Sequence, residues 1–161
     1  QKIRQASLED AARCFEIEAR GYSPAEAATL EKLIKRIAEY PQGFLVLEVE
    51  STVLGFINSG CVHDVDMSDL DLKNLAGHDP GAPNVVIMSV VLDPDFQGQG
   101  LSKSLMEAFI ERMSAAKKQS IHLMCKDHYI AFYEKFGFRY TQPSRADLGG
   151  GDWHEMVMEL L

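Results

Sequence analysis

The sequence is short of positive charge. It carries 16 lysine and arginine residues against 24 aspartate and glutamate residues, so its formal net charge is 16 − 24 = −8 with histidine neutral. A protein that binds nucleic acid through its phosphates needs an excess of Lys and Arg to neutralise them. The charge balance therefore argues against a general nucleic-acid binder.

Cysteine is equally scarce. Cys14, Cys61 and Cys125 are odd in number, lie far apart and include no CxxC pair, which disfavours a disulfide framework and a zinc site. Free thiols suit a reducing compartment, so we predict a cytoplasmic protein. No uninterrupted apolar run reaches the ~20 residues that a membrane-spanning helix needs, so we expect no membrane partner.

What remains is an ordinary globular composition. Hydrophobic residues make up 46% of the 161 residues and charged residues 25%, which excludes a disordered or fibrous chain. A chain of this length forms one domain by default, and no repeat or linker divides it. We therefore predict a single domain over residues 1–161.

Two periodicities divide the chain into elements. Apolar residues alternate in some segments, as in strands, and recur every third or fourth position in others, as in helices. The predicted strands are 2–5, 44–49, 53–61, 85–92, 120–125, 138–141 and 153–160. The predicted helices follow Ser7 as far as Gly21, begin at Ser23-Pro24 and end before Pro41, run from Leu101 to about Lys118, and run from Tyr129 to Phe136.

Two pairings follow from these elements. Strands 44–49 and 53–61 flank the short polar turn 50–52 and predict an antiparallel hairpin. The last strand is expected to pair antiparallel with 138–141 across the glycine-rich link Leu148-Gly149-Gly150-Gly151. Strand 85–92, the following helix and strand 120–125 form a βαβ unit, so those two strands should be parallel.

A glycine turn lies between the buried strand 85–92 and the helix after it. In Gln97-Gly98-Gln99-Gly100-Leu101-Ser102, successive backbone N–H groups can converge on an anion, because a helix N-terminus supplies unpaired amides and the positive end of a dipole. The turn is neither a Walker loop nor a dinucleotide fingerprint. Its position favours a phosphate site.

This turn resembles the acyl-CoA loop of the GNAT superfamily of N-acetyltransferases, whose pattern is Arg/Gln-x-x-Gly-x-Gly/Ala. Gln97 and Gly100 match the pattern, and Ser102 departs from its last position. The segment Ala131–Phe138 resembles the FYxxxGF element that follows the fifth strand of that fold. The resemblance implies an α/β (α+β) fold with a mostly antiparallel sheet of six to seven strands, about four helices and a central parallel pair around the βαβ unit.

The resemblance also implies a co-substrate, acetyl-CoA, and no metal. The coenzyme is expected to contact the backbone at Val90, Val91 and Leu92, where the fourth strand splays from the fifth, and to contact Tyr133. Tyr133 matches the family tyrosine proposed as the general acid. The loop residues expected to hold the coenzyme are Gln97, Gly98, Gln99, Gly100, Leu101 and Ser102.

A narrower resemblance is to the serotonin (arylalkylamine) N-acetyltransferases, carried by Glu9–Glu18 and Leu123–Asp127. It implies substrate contacts from Val86, Met88, Val90 and Met124. The vertebrate serotonin enzymes carry a His-x-His proton relay on the fourth strand, where this chain has Val86 and Met88. We therefore expect a water-mediated base, with replacement candidates His63, Asp64, Asp66 and His122.

The segment 62–84 is rich in aspartate and carries His63 and His78. It predicts a long loop with a helical turn at 68–75, which either attracts a cationic polyamine or is merely solvated. Metal binding by His63, Asp64 and Asp66 is disfavoured, because no fourth ligand stands at a recognisable spacing.

The sequence therefore predicts direct acetyl transfer from acetyl-CoA to a primary amine, an arylalkylamine or a polyamine, in a ternary complex. Two alternatives remain open, an acyl-CoA-binding regulatory module without turnover and an acetyltransferase of protein or peptide amines. No pattern bears on the oligomeric state.

Overall fold

The computed structural model describes residues 1–68, 70–145 and 152–160, which form a mixed sheet with helices on both faces. The glycine link 148–151 and Asp69 lie outside the described residues. The strands are β1 (Lys2–Gln5), β2 (Phe44–Val49), β3 (Thr52–Val62), β4 (Asn84–Leu92), β5 (Ser120–Lys126), β6 (Arg139–Pro143) and β7 (Trp153–Glu159). The helices are α1 (Ala11–Gly21), α2 (Leu30–Glu39), α3 (Leu101–Ala115) and α4 (Ile130–Glu134).

The sheet order is β1-β2-β3-β4-β5-β7-β6. Strands β4 and β5 are parallel, and the other neighbouring pairs are antiparallel. The predicted fold class, the hairpin, the parallel pair and the pairing of the last strand are confirmed. The predicted helical turn in segment 62–84 is a short 3-10 helix at Leu70–Asn74.

The core has two layers, one on each face of the sheet. In β2 successive residues alternate between them, Phe44 and Val46 toward α1 and α2, Leu45 and Leu47 toward α3. Burial on both faces explains why this strand is a continuous apolar run. Side chains fully removed from water include Ile17 and Leu33 in one layer and Leu105, Phe109 and Ile121 in the other.

One predicted helix start is wrong. Helix α2 begins at Leu30 and not at Ser23-Pro24, and Thr29 caps it by accepting a hydrogen bond from Lys32 N at 3.2 Å. Ser23 instead opens a single turn, in which its carbonyl accepts from Glu26 N and Ala27 N, both at 2.9 Å. The turn ends because the next amide, Ala28 N, donates to the buried carboxylate of Glu18.

The predicted helix 129–136 is also shorter than expected. A 3-10 turn at Asp127–Tyr129 precedes α4, and the chain leaves α4 through Gly137, whose φ of +107° is open to glycine and rare for other residues. Phe138 N donates to Tyr133 O at 3.3 Å and closes that exit. This tight ending fixes Tyr133 at the base of β6.

Strands β4 and β5 separate soon after they pair. Their register runs only from Asn84 opposite Ser120 to Val86 opposite His122. On its other edge β4 carries a bulge at Met88, because Ser89 pairs with Asn58 whereas Ile87 pairs with Ser59. The divergence and the bulge together open the gap in which the candidate site lies.

Candidate active site

A cavity of about 100 Å³ occupies the gap between β4 and β5. Helix α4 bounds it on one side, and α1, α2 and the turn between them bound it on the other. Met88 and Val90 of β4, Met124 of β5 and Tyr133 of α4, each predicted from the sequence as a site residue, all line it. The remaining lining residues are Glu18, Tyr22, Ala25, Glu26, Ala27, Ala28, Lys32, Arg36, Lys73, Ile87, Ser89, Leu123 and Trp153.

Tyr133 reaches this cavity from a buried position, with 7% of its surface exposed. Phe132 and Phe138 contact its ring edge-on, with centroid separations of 5.1 and 5.9 Å. Burial first, and then the neighbouring Tyr22, raise the pKa of its hydroxyl well above the ordinary value of 10. The hydroxyl therefore keeps its proton at neutral pH and can donate it to a developing anion.

The backbone of β4 offers hydrogen-bond donors to the gap. Asp93 N donates to Leu54 O of β3 at 2.6 Å, so the polar groups of Val91 also face β3, by the alternation of a strand. The N–H groups of Val90 and Leu92 then face away from β3, toward the gap. The carbonyl of Val90 accepts a hydrogen bond from Tyr22 Oη at 3.4 Å, which confirms that direction.

The glycine turn follows directly from β4. Gly98 and Gly100 have φ values of +80° and +77°, and no atom lies within 4 Å of a Cβ placed on either. Gly100 is the N-cap of α3, and the helical ladder starts with Ser104 N donating to Gly100 O at 3.2 Å. The N–H groups of Leu101, Ser102 and Lys103 precede that ladder, so the turn has the geometry of an anion site.

A buried charge cluster borders the opposite side of the cavity. Arg36, 2% exposed, donates from Nη2 to Lys73 O at 2.9 Å and from Nη1 to Asn58 Oδ1 at 3.4 Å. Burial lowers its pKa to about 10, against the opposing effect of the Glu18 carboxylate. Lys73 Nζ donates to Met88 O at 3.0 Å, at the bulge of β4. Burial, and then the charge of Arg36, lower the pKa of Lys73 to about 8.

Glu18 is the buried acid of the site, 1% exposed. Its Oε2 accepts the hydrogen bond from Ala28 N, while its Oε1 has no hydrogen-bond partner among the described residues. The other acid of the cavity, Glu26, is paired with Lys126 at 2.9 Å. Burial acts to raise the pKa of Glu26, but the hydrogen bonds from Lys126 and Ser23 outweigh it and lower that pKa.

Several site residues predicted from the sequence do not line the Tyr133 cavity. Val86 packs with Leu72, Leu75 and Met88 in one apolar cluster but, unlike Met88, does not line the Tyr133 cavity and borders a second pocket instead. His63 is exposed and bonds Asp79 Oδ2 at 2.8 Å, and His122 bonds Ser120 Oγ at 2.8 Å. None of the replacement bases line the cavity: His63, Asp64, Asp66 and His122 border two other surface pockets.

Sequence reasoning missed Glu18, Arg36 and Lys73. Glu18 had a recognisable signal, because it lies four residues after Cys14 on the buried face of α1. A carboxylate is rarely buried unless it is paired or has a function. Lys73 had none, since it lies within a polar loop. Within the described ranges, no group of three or more metal-binding side chains occurs, and no helix is long and apolar enough to cross a membrane.

Comparison with known proteins assigns these features to a family. Residues 7–138 match the sequence model described as the acetyltransferase (GNAT) family. The chain is 25% identical over 164 residues to serotonin N-acetyltransferase of Mesocricetus auratus, covering 99% of this chain and 77% of that protein. It is 42% identical over 55 residues to an uncharacterized N-acetyltransferase, ycf52, of Porphyra purpurea, covering 34% of this chain and 32% of that protein.

The fold comparison agrees. The crystal structure of the loading GNATL domain of CurA from Lyngbya majuscula superposes with a TM-score of 0.87 at 16% identity, covering 99% of this chain and 97% of that one. This likeness shows the fold. Because the chain spans about a third of the length of the red-algal relative, activity does not transfer from it by similarity.

Proposed function

The chain belongs to the GNAT family of acetyltransferases, and from that premise we propose that it transfers an acetyl group from acetyl-CoA directly to a small primary amine. The observation that carries this proposal is the position of Tyr133. Its protonated, buried hydroxyl lines the same gap toward which the N–H groups of Val90 and Leu92 point. The gap leads along β4 to the anion site of the glycine turn.

The chain offers contacts to the coenzyme from its phosphates to its thioester. The turn Gln97–Ser102 and the start of α3 would hold its phosphates through backbone amides, which matters because the overall charge of −8 repels them. The open space around Gly98 and Gly100 fits such a close approach. The strand amides at Val90 and Leu92 would bind the pantetheine arm and polarise the thioester carbonyl.

The transfer step needs two proton movements. The ammonium form of the amine loses one proton, and the neutral nitrogen then attacks the thioester carbonyl, forming the C–N bond. When the C–S bond breaks, the thiolate takes the proton of Tyr133, and the second nitrogen proton restores the tyrosine hydroxyl. Amide and free thiol are the products, and one proton passes to solvent.

Glu18 is the base that the cavity supports. Its Oε1 has no partner among the described residues, whereas Glu26 is held by Lys126. A water molecule between Glu18 and the amine would carry the first proton, as expected from the missing His-x-His pair. In this role Glu18 replaces the candidates His63, Asp64, Asp66 and His122, which lie outside the cavity lining.

The lining favours an arylalkylamine over a polyamine. Tyr22, Met88, Met124 and Trp153 provide aromatic and apolar surface for a ring. A polyamine would bring several positive charges to Lys32, Arg36 and Lys73. The aspartates at positions 64 and 66, which were expected to attract a polyamine, border a different pocket.

The test is turnover on a panel of arylalkylamines, diamines and N-terminal peptides, followed by release of free CoA thiol from the purified protein. We expect turnover on arylalkylamines. Acetyl-CoA binding without turnover on any amine would instead support a regulatory module, and turnover confined to peptides would support a protein acetyltransferase. The cytoplasmic compartment stays a prediction.

A further inference from the structure

The acceptor side of the cavity is more positive than a simple amine requires. Three basic side chains, Lys32, Arg36 and Lys73, line it against two acidic ones, Glu18 and Glu26. Glu26 is already neutralised by Lys126, which lies outside the lining. The site thus has an excess of positive charge within a chain whose net charge is −8. A cationic amine gains nothing from such an excess.

The coenzyme phosphates do not account for this charge. They are assigned to the glycine turn, and Gly98 lies ten residues after Met88 along the chain. Lys73 bonds the carbonyl of Met88, and each residue of a strand advances the chain by about 3.3 Å. The ammonium group is therefore anchored at a strand residue two positions farther from the turn than Val90.

Lys73 is the lining cation that is bonded to β4 and still has unused bonding capacity. An ammonium group has three N–H donors, and Met88 O takes one of them. In the part of the chain that the structure describes, no carboxylate pairs with Lys73. Removal from water, and then repulsion by Arg36, lower its pKa to about 8, against the opposing effect of the Glu18 carboxylate. Shielding an ammonium group from water without a paired carboxylate is costly, and a bound anion would offset that cost.

We propose that the acceptor of this enzyme carries a carboxylate, which Lys73 binds on the side of the cavity away from the glycine turn. With the aromatic lining of Tyr22 and Trp153, the preferred acceptor is an amino acid with an aromatic side chain, ahead of the corresponding decarboxylated amine. This inference rests on the proposed acetyl transfer and adds the recognition group. Lys73 acts in it as a specificity residue.

The experiment compares phenylalanine with phenethylamine, which differ by the carboxylate. At saturating acetyl-CoA, we expect kcat/KM to be about tenfold or more higher for phenylalanine. Lys73→Met should lower kcat/KM for phenylalanine on the order of ten- to hundredfold, mainly through KM, and change that for phenethylamine by less than about threefold. Lys73→Arg keeps the charge and should keep the preference.

Lys35→Met is the matched control. Lys35 Nζ donates to Asn74 O at 2.8 Å, so it anchors the same segment as Lys73 but does not line the cavity. It should leave the preference unchanged. Three results would overturn the inference and leave the proposed acetyl transfer intact. They are equal kcat/KM of the wild type for the two acceptors, an equal loss of kcat/KM on both acceptors in Lys73→Met, and a loss of preference in Lys35→Met as large as in Lys73→Met.

A binding measurement separates the two proposals if no acceptor turns over. Calorimetry on the CoA-loaded protein then tests phenylalanine against phenethylamine directly. Tighter binding of phenylalanine that Lys73→Met abolishes supports the carboxylate site although the transferase proposal has failed. Equal or undetectable binding of both overturns the site as well. If circular dichroism shows Lys73→Met to be unfolded, Lys73→Gln is used in the same comparisons.

Discussion

Arg13 Nη2 lies 2.6 Å from Asp93 Oδ2, and this ion pair joins helix α1 to the residue that follows strand β4. Arg20, two turns along α1, holds the other oxygen of Asp93 at 2.9 Å. The same helix presents Glu18 to the cavity. Helix α1 is thus held in register with the start of the glycine turn, so the proposed base and the proposed coenzyme site are fixed relative to one another.

Replacing Asp93 should lower the free energy of unfolding more at neutral pH than at acidic pH. Burial acts to raise the pKa of Asp93, but hydrogen bonds from Asp95 N and Arg13 and the charge of Arg20 outweigh it and lower that pKa. The carboxylate therefore stabilises the fold fully above its unfolded pKa of about 4 and loses that contribution as the pH falls. Asp93→Asn should lose roughly 1–3 kcal/mol of unfolding free energy at neutral pH, read from urea denaturation.

The same denaturation at about pH 3 should bring Asp93→Asn closer to the wild type, since protonation then removes the native charge as well. Asp95→Asn is the control, because the exposed carboxylate of Asp95 pairs with Arg20 at 3.2 Å at the surface, where an ion pair adds little stability. If the unfolding free energies of wild type and Asp93→Asn differ by the same amount at neutral pH and at about pH 3, the ion pairs of Asp93 contribute nothing to stability.

Tyr133→Phe should slow the chemical step and leave coenzyme binding unchanged. The substitution removes the donor to the leaving thiolate but keeps the ring that packs on Phe138. We expect kcat to fall on the order of a hundredfold, the lower range for a general acid. Steady-state rates and calorimetric titration with CoA provide the two readings. Tyr129→Phe, nearby and 47% exposed, should behave as wild type.

Glu18→Gln should lower kcat by about a hundredfold while the fold persists. The amide oxygen of glutamine can still accept the hydrogen bond from Ala28 N, so the turn before α2 is retained. The loss should diminish at high pH, where the amine needs no base. Glu26→Gln, which alters a carboxylate already paired with Lys126, is the comparison. Identical rates for both variants would remove Glu18 from the mechanism.

Gly98→Ala should cost both stability and coenzyme affinity, whereas Gly77→Ala should cost stability alone. Both glycines have φ near +80° with open space around the added Cβ, so each substitution strains the backbone by about 1–2 kcal/mol. At Gly98 the methyl group also occupies the space in which a phosphate would lie. We expect the dissociation constant of CoA to rise on the order of tenfold for Gly98→Ala. Equal CoA dissociation constants for Gly98→Ala and Gly77→Ala would contradict the proposal that the glycine turn binds the phosphates.

The parts of the fold that depend on local chemistry were predictable. Gly98 and Gly100 stand between a buried strand and an amphipathic helix, so the turn and its βαβ unit followed from the sequence. The start of α2 did not, because Ser23-Pro24 is a favourable cap and Thr29 is another. The choice between them depends on Glu18 reaching Ala28, a contact between two elements.

The lining of the cavity was only partly predictable, for a similar reason. Strict alternation would place Val86, Met88 and Val90 on one face of β4. Val86 and Met88 do share one apolar cluster, but the bulge at Met88 interrupts the alternation, so that Val90 packs on the other core layer and Ile87 to Val90 all line the cavity. Lys73 reaches the site only because its loop folds back over β4, which no pattern along the chain indicates.

The short seam between β4 and β5 has a mechanical consequence. Three residue pairs join the half-sheet β1–β4 to the half-sheet β5–β7. Beyond these pairs, the backbone N–H groups of Val90 and Leu92 at the edge of β4 face the gap. A coenzyme arm bonded there, as proposed, would extend the sheet as an added strand. Acetyl-CoA would then be a structural member of the sheet as well as a reactant, and the two halves should move least when it is bound.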